Sequence, residues 1–410
     1  MRLCLIIFVM GIIHGLVCSQ ENDPSAVMTA IRVGADYAAS ILLDESGKSR
    51  CDYQMTEGKW YPYEEPWHTG QVINGLLSAY EVTGDSAYLR GAVRAGDWWL
   101  GLEIKNHPKL SGMVRAIHGD DAGEVIVFAT VSDGTPGLFR LWRTTGDSKY
   151  ADVSSQAGRW MLENMCLLEE GVCYDYVDPE SGSVYSAWSP FHQDADTIEL
   201  FDLSRPNTEG SLFLDIFRYN KDPKYLEAFL KLCNSLVEKQ DSHGLWMRFM
   251  PNHPREGTFH PRFNLWYAES LIDAYEETKD DRYLQTAKRT VDRYLQAQQR
   301  DGTIYYKNYL DDRYDPGSIC GSAVAFTGLL MLRLMENGVS RNYSERIDLC
   351  AQWLIRNQFG ADHPDPNLAG AFMNIRKRNR KGKIWLVNRD VGTSFALRFL
   401  SSYYTHKFVE

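Results

Sequence analysis

Apolar residues recur at three- and four-residue spacing through TGQVINGLLSAYEVTGD (69–85) and again through AYLRGAVRAGDWWLGL (87–102), the period of a helix with one buried face. Between them stands a helix stop, Gly84, followed at once by residues that cap a new helix, Asp85 and Ser86. The same corner returns as WRTTGDSKYADV (142–153), FRYNKDPKYLEA (217–228) and AYEETKDDRYLQT (274–286), with a looser copy in RLMENGVSRNYSER (333–346). The tyrosines after the corners, Tyr88, Tyr150, Tyr225, Tyr283 and Tyr343, are 62, 75, 58 and 60 residues apart. A spacing this regular marks repeated helical hairpins.

The pattern predicts leaving helices at 86–104, 148–166, 222–240, 281–299 and 341–358, and arriving helices that begin near Thr69, Thr135, Thr208, Arg262 and Ser318. One helix is left over at each end, 24–42 and 390–405. If these two pair, the chain makes twelve helices in six hairpins, an all-α closed ring of the (α/α)6 toroid type; an open solenoid is the alternative. Arriving helices such as SICGSAVAFTGLLML are rich in Gly, Ala and Ser and suit a crowded inner ring, whereas leaving helices such as DRYLQTAKRTVDRYLQAQQ carry the charge of a wet outer face. Corners are three to six residues long, while the outer-to-inner connections run from about 18 to 40 residues. All long connections therefore gather at the end where inner helices begin, which is the expected functional end.

Composition adds compartment and partner. The first 19 residues, MRLCLIIFVMGIIHGLVCS, join one Arg to an apolar run and small residues, the form of a secretory signal and too short to span a membrane. The expectation is a leader at 1–19, one catalytic domain at 20–410 and a secreted or periplasmic protein, with lipid attachment at Cys18 the lesser alternative. Cys166 and Cys173 flank LLEEGV and are a plausible disulfide in that setting. A net charge of −10 argues against a nucleic-acid partner. No cysteine or histidine spacing matches a metal motif, and no phosphate-binding loop appears, so neither metal nor cofactor is expected.

The long connections mix aromatics with carboxylates, histidines and arginines: WYPYEEPWHTG (60–70), RAIHGDDAGEVIVFATVSDGTPG (115–137), YSAWSPFHQDADTIELFDLSRPNTEG (185–210) and GLWMRFMPNHPREGTFHPRFNLW (244–266). Flat stacking surfaces beside acid–base groups suit carbohydrate. Trp67, Trp188 and Trp266 are stacking candidates, with core packing the plainer reading of each. His68, His192 and His260 are candidate substrate contacts, against a structural role. Arg205 and Arg262 are candidate clamps for a carboxylate, against salt bridges between loops. Asp133 and Asp202 are the candidate acid–base pair; Asp133 equally suits a helix cap, Asp194, Asp196 and Glu199 compete with Asp202, and Glu209, Asp120 and Asp121 stand in reserve. The run Arg376–Lys383 is conspicuously basic for an acidic chain.

The run SDGTPGLFRLWRTTGDSKY (132–150) resembles the segment of unsaturated glucuronyl hydrolases in which an Asp opens an inner helix ending in a TGD corner, and YDPGSICGSAVAFTGLLML (314–332) resembles another of their inner helices. The resemblance, spread over about 250 residues of repeat pattern, implies a six-hairpin glycosidase. One Asp would act as general acid and base and a second would assist, roles that fall by position on Asp202 and Asp133. The chain departs from the family where Ser204-Arg205-Pro206-Asn207 follow Asp202, and where Arg262-Phe-Asn-Leu-Trp266 replaces an R-G-Q-x-W helix start. The function expected is a secreted glycoside hydrolase, an unsaturated or saturated glucuronyl hydrolase, acting by acid–base carboxyl catalysis on oligosaccharides or polysaccharides that contain uronic acid. A polysaccharide lyase, a sugar epimerase and a carbohydrate-binding ring are the alternatives.

Overall fold

The computed structural model describes residues 23–120, 123–192, 197–380 and 382–409. The leader at 1–19, together with Asp121, Asp194 and Asp196, lies outside the described residues. In chain order, the twelve helices of nine or more residues among the described residues are α1 (Pro24–Tyr37), α2 (Glu65–Thr83), α3 (Ser86–Leu100), α4 (Pro136–Thr145), α5 (Lys149–Asn164), α6 (Leu212–Asn220), α7 (Pro223–Lys239), α8 (Phe263–Thr278), α9 (Asp281–Ala297), α10 (Gly321–Glu336), α11 (Ser344–Arg356) and α12 (Val391–Phe408).

Even-numbered helices form the inner ring and odd-numbered ones the outer. The hairpin of α2 and α3 shows the difference in burial: 14 of 19 residues of α2 are buried, against 6 of 15 in α3. Neighbouring inner helices touch in order from α2 to α12, with the turn Glu209–Ser211 carrying the contact between α6 and α8. The last helix packs on both α2 and α1, which closes the ring. Crowding at the centre is met by glycine. A Cβ on Gly70 of α2 would stand 2.0 Å from the carbonyl oxygen of Gly134, so α2 crosses the start of α4 backbone to backbone.

Each corner uses the chemistry that the sequence pattern predicts. Gly84 and Gly146 take the left-handed conformation at φ 67° and 76°, and Lys221 and Lys279 hold the same slot at 62° and 60°. Asp85, Asp222 and Asp280 then cap the next helix by accepting the N–H groups of Ala87, Lys224 and Arg282. The repeated tyrosines are buried struts between successive outer helices. Tyr88 donates to Asp36 at 3.0 Å, Tyr150 to Asp97 at 2.9 Å, Tyr283 to Asn234 at 3.0 Å and Tyr343 to Asp292 at 2.9 Å.

Within the all-α ring, the long connections are more ordered than loops. Every strand lies in an outer-to-inner connection, and the strands pair into four small antiparallel sheets. One sheet joins 375–380 and 383–389 to 52–54 and 59–61, with Asp52 opposite Arg389. Another holds Cys166 opposite Cys173, which are disulfide-bonded. Cys51, Cys233, Cys320 and Cys350 are buried free thiols. No helix among the described residues is long and apolar enough to cross a membrane.

Candidate active site

At the end where the inner helices begin lies a cavity of about 380 Å³. Tyr63, Glu64 and Trp67 line it from the start of α2, His118 and Val127 from the paired strands before α4, and Asp133 from the helical turn that follows those strands. Arg205 and Glu209 come from the approach to α6, His260, Arg262, Phe263 and Trp266 from the start of α8, and Arg376 and Arg389 from the sheet before α12.

Asp133 ends the short helical turn Phe128–Ser132 and is buried. Its Oδ2 accepts the indole N–H of Trp67, and Gln71 Nε2 donates to its backbone oxygen at 2.6 Å and to Oδ1 at 3.2 Å. Burial pushes its carboxyl well above the ordinary range, and the negative charges of Glu269 and Glu209 add to the rise. Glu209 opens the turn before α6. Gly210, at φ 75°, lies so close to the chain at 132–133 that a Cβ there would be 2.3 Å from the Ser132 oxygen and 2.9 Å from the Asp133 Cα. The two acids thus sit on touching segments of backbone. Both Glu209 carboxylate oxygens are buried without a hydrogen-bond partner among the described residues, while Arg205 Nη2 stands 3.9 Å from Oε1. Burial raises this carboxyl too, with Arg205 opposing.

The arginines divide by partner. Arg205 bonds Asp175 Oδ1 and Asn207 Oδ1, both at 3.0 Å, and the Met250 oxygen at 2.8 Å, while its guanidinium lies 4.5 Å from the Phe263 ring centroid. Arg389 donates from Nε to both oxygens of Asp52, at 3.1 and 2.9 Å. Arg262 has only neutral partners, Ser322 Oγ at 2.8 Å, Tyr306 at 3.2 Å and the Cys320 thiol at 3.8 Å, and its Nε is buried without a partner. Arg376 stacks over Tyr306 at 5.2 Å and forms no ion pair among the described residues. Two guanidiniums therefore reach the cavity with no carboxylate among the described residues to balance them.

Tyr306, half-buried beside the cavity, is the meeting point of this wall. Its hydroxyl accepts from Arg262 Nη1 at 3.2 Å and from Arg389 Nη1 at 3.4 Å. Burial alone would raise its pKa; the surrounding guanidiniums outweigh that and lower it. Across α2, His118 Nδ1 pairs with Glu64 Oε1 at 2.5 Å. Burial works against the Glu64 charge, but His118 prevails and holds the carboxyl at about 2. Glu64 occupies a left-handed backbone position, φ 51°, which aims it at His118 rather than along the helix.

Seven of the sequence candidates line this cavity: Trp67, Asp133, Arg205, His260, Arg262, Trp266 and the reserve acid Glu209. Trp67 and Trp266 meet edge to face at 5.9 Å. The His260 Nδ1 accepts the N–H groups of Arg262 and Phe263 and so caps α8, while burial, reinforced by Arg262, keeps the ring neutral.

The structure moves four candidates away. Asp202 is exposed and belongs to a separate turn, Leu200–Leu203, where its Oδ2 accepts the Glu199 N–H at 2.8 Å in a capping box. The chain turns inward only after it, where Ser204 and Arg205 pair with Tyr174 and Cys173. Trp188 is 46% exposed against the edge of Tyr185. His192 is bonded to Ser189 Oγ at 2.7 Å, and its neighbour Phe191 lines the cavity instead. His68 is fully buried in the ring seam, with Nδ1 on Asp390 and Nε2 on Arg389. Cys51, His68 and Asp390 come within 4.8 Å of one another, but His68 and Asp390 are already committed to each other, to Ser49 and to Arg389. Arg205 lines the cavity with its charge already paired, through Nε, with Asp175. Sequence reasoning did not single out Glu64, His118, Tyr306 or Arg389. Arg376 it saw only as part of a basic run.

Ring, polarity and cavity place the chain among the (α/α)6 toroids. Of solved structures with this fold, it is similar to an unsaturated glucuronyl hydrolase from Bacillus sp. GL1, with 16% identity over 91% of this chain and 96% of that one and a TM-score of 0.64. It is similar to a cellobiose 2-epimerase from Bacillus thermoamylovorans, at 11% identity, 92% and 99% coverage and a TM-score of 0.67. It is also similar to a polysaccharide lyase, at 13% identity, 94% and 99% coverage and a TM-score of 0.60. No protein-family model matches the chain, and no curated protein matches it by sequence.

Proposed function

We propose that this chain is an exported glycoside hydrolase acting on oligosaccharides or polysaccharides that contain uronic acid, with Asp133 and Glu209 as its carboxyl pair. The observation that carries the reading is the touching backbone of these two acids at one cavity, both raised by burial, one of them without a hydrogen-bond partner. Two neighbouring carboxylates do not both ionise cheaply, so such a pair tends to share one proton. Arg205 favours the charge on Glu209, and the weakly held Oδ1 of Asp133 is then the place for the proton. In that assignment Asp133 protonates the glycosidic oxygen and Glu209 orients water at the anomeric carbon. Trp67 and Trp266 offer faces to the sugar ring.

The acidic substrate follows from Arg262 and Arg376, which have no carboxylate partner among the described residues. Export follows from the leader-like run at 1–19 and agrees with the Cys166–Cys173 disulfide; the catalytic unit is then the single domain 20–410. Incubation with saturated and unsaturated uronate oligosaccharides, following reducing ends and ultraviolet absorbance together, tests the reading. New reducing ends without a gain in absorbance, abolished in Glu209→Gln, are expected. Cleavage of neutral glycans only, or full activity in that variant, would overturn it.

A further inference from the structure

The cavity has a second wall, built of apolar side chains, that recognition of an acidic sugar does not use. We propose that this wall holds the leaving group, and that the chain also hydrolyses uronides whose aglycone is an apolar alkyl or aromatic group. This rests on Asp133 and Glu209 as the carboxyl pair, and goes beyond it in naming what sits on the far side of the cleaved bond.

The wall grows from one face of a small sheet. In the strand Gly123–Val127, Ile126 belongs to the main core, while Val125 and Val127, on the opposite face, form a separate cluster with Tyr176. Val127 stands directly opposite Tyr176 in the antiparallel pair, and the Tyr176 ring packs on Phe191 at 5.0 Å. Val127, Ala129, Tyr176 and Phe191 line the cavity, joined by Pro251 and by Met250, which is 43% exposed. Apart from the Tyr176 hydroxyl and the Met250 thioether, these side chains carry no polar atom. The polar groups at the border are turned to one another, since His118 Nδ1 and Thr130 Oγ1 both bond Glu64 Oε1. A sugar ring laid on this wall would bury hydroxyls without partners, whereas an alkyl chain or an aromatic ring would only leave water.

The order of groups around the cavity decides which part of the substrate meets the wall. Ala129 stands one helical turn before Asp133, its carbonyl accepting the Asp133 N–H at 2.9 Å. His118 and Tyr63 separate the wall from the arginines: ring contacts run from Phe191 to His118 at 5.9 Å and on to Tyr63 at 5.3 Å, and Arg389 lies 5.5 Å from the Tyr63 ring centroid. With the carboxylate at Arg262 and Arg376 and the glycosidic oxygen at Asp133, the aglycone lies beyond Asp133, against Ala129, Val127 and Phe191. Water then adds to the anomeric carbon and gives a proton to Glu209, the bond to the glycosidic oxygen breaks, and the aglycone leaves as an alcohol with the Asp133 proton.

The test compares methyl, butyl and 2,3-dihydroxypropyl uronides in both anomers, all of which release simple aliphatic alcohols. Each methylene buried is worth about fourfold, so kcat/KM of the wild type for the butyl uronide is expected to exceed that for the methyl uronide by at least about tenfold. The dihydroxypropyl uronide should show no such gain. Phe191→Asn and Met250→Gln should each shrink the butyl-to-methyl ratio, which a smaller folded fraction alone would not move, since one enzyme meets both substrates. Equal rates for butyl and methyl, or a preference for the dihydroxypropyl uronide, beside cleavage of uronate oligosaccharides, would overturn the apolar leaving side and leave the hydrolase standing. A ratio kept in both variants would overturn the role of this wall. Inertness toward every uronide, oligosaccharides included, would overturn both readings.

Discussion

Two adjacent residues on α2 face two buried polar clusters of opposite character. His68 turns into the seam where the ring closes. There its Nδ1 meets Asp390, Asp390 accepts from Ser49 Oγ at 2.6 Å, and Arg389 bridges to Asp52. Trp67 turns into the cavity, toward Asp133 and the unpartnered oxygens of Glu209. The seam joins residues more than 300 positions apart and satisfies every partner. The cavity wall leaves acids raised and cations unbalanced. A satisfied buried network fixes a structure; an unsatisfied one is maintained at a cost in stability and is where a ligand would complete the bonding.

The largest effect that would sharpen this contrast lies on the cavity side. Asp133→Asn and Glu209→Gln are each expected to lower turnover by about 10²–10⁴-fold, measured on the preferred uronate substrate, with the thermal midpoint unchanged or raised. Full turnover in Asp133→Asn together with lost stability would make Asp133 a structural group like His68. On the seam side, His68→Ala should destabilise the chain by about 3–5 kcal/mol in denaturant unfolding, because it leaves the Asp390 charge buried without its donor. A smaller loss would mean that the ring does not depend on this closure.

The pH dependence separates the two regions further. Burial holds Asp133 and Glu209 above their ordinary values of 3.8 and 4.5, so above those values the native chain binds more protons than the unfolded chain. Their stabilising contribution is complete below the ordinary values and declines as pH rises toward the native ones. The midpoint of Glu209→Gln should therefore gain on that of the wild type as pH rises, in calorimetry across that range; parallel curves would contradict the burial argument. Away from both clusters, Asp280→Ala should cost about 1 kcal/mol through the lost cap. The smallest effect is expected from Asp202→Asn: an exposed cap of a four-residue turn should change turnover by less than about twofold, and a large loss would restore it to the site.

The ring was legible because its determinants are local. The Gly84–Asp85 corner, the Asp222 and Asp280 caps and the apolar spacing of α2 and α3 act within a few residues, and their recurrence exposes the architecture. The place of Asp133 at the cavity was legible as well, since it stands directly before an inner helix with a readable corner. Asp202 lies away from the cavity for a related reason: the segment before α6 contains two helix-like starts, and only the sheet pairing of Ser204 and Arg205 and the left-handed Gly210 choose the second, which brings Glu209 to the cavity. The arginine wall was not legible at all. Whether Arg205, Arg262, Arg376 or Arg389 is neutralised depends on Asp175, Asp52, Tyr306 and Ser322, which lie from 30 to more than 300 residues away in the chain. The sequence by itself determined the repeat, the corners and the polarity of the ring, because helix caps and amphipathic faces are set by near neighbours. Only the tertiary structure decided which buried charges are paired and which are left to meet a substrate, because charge balance in a dry cavity is settled by contacts between distant segments.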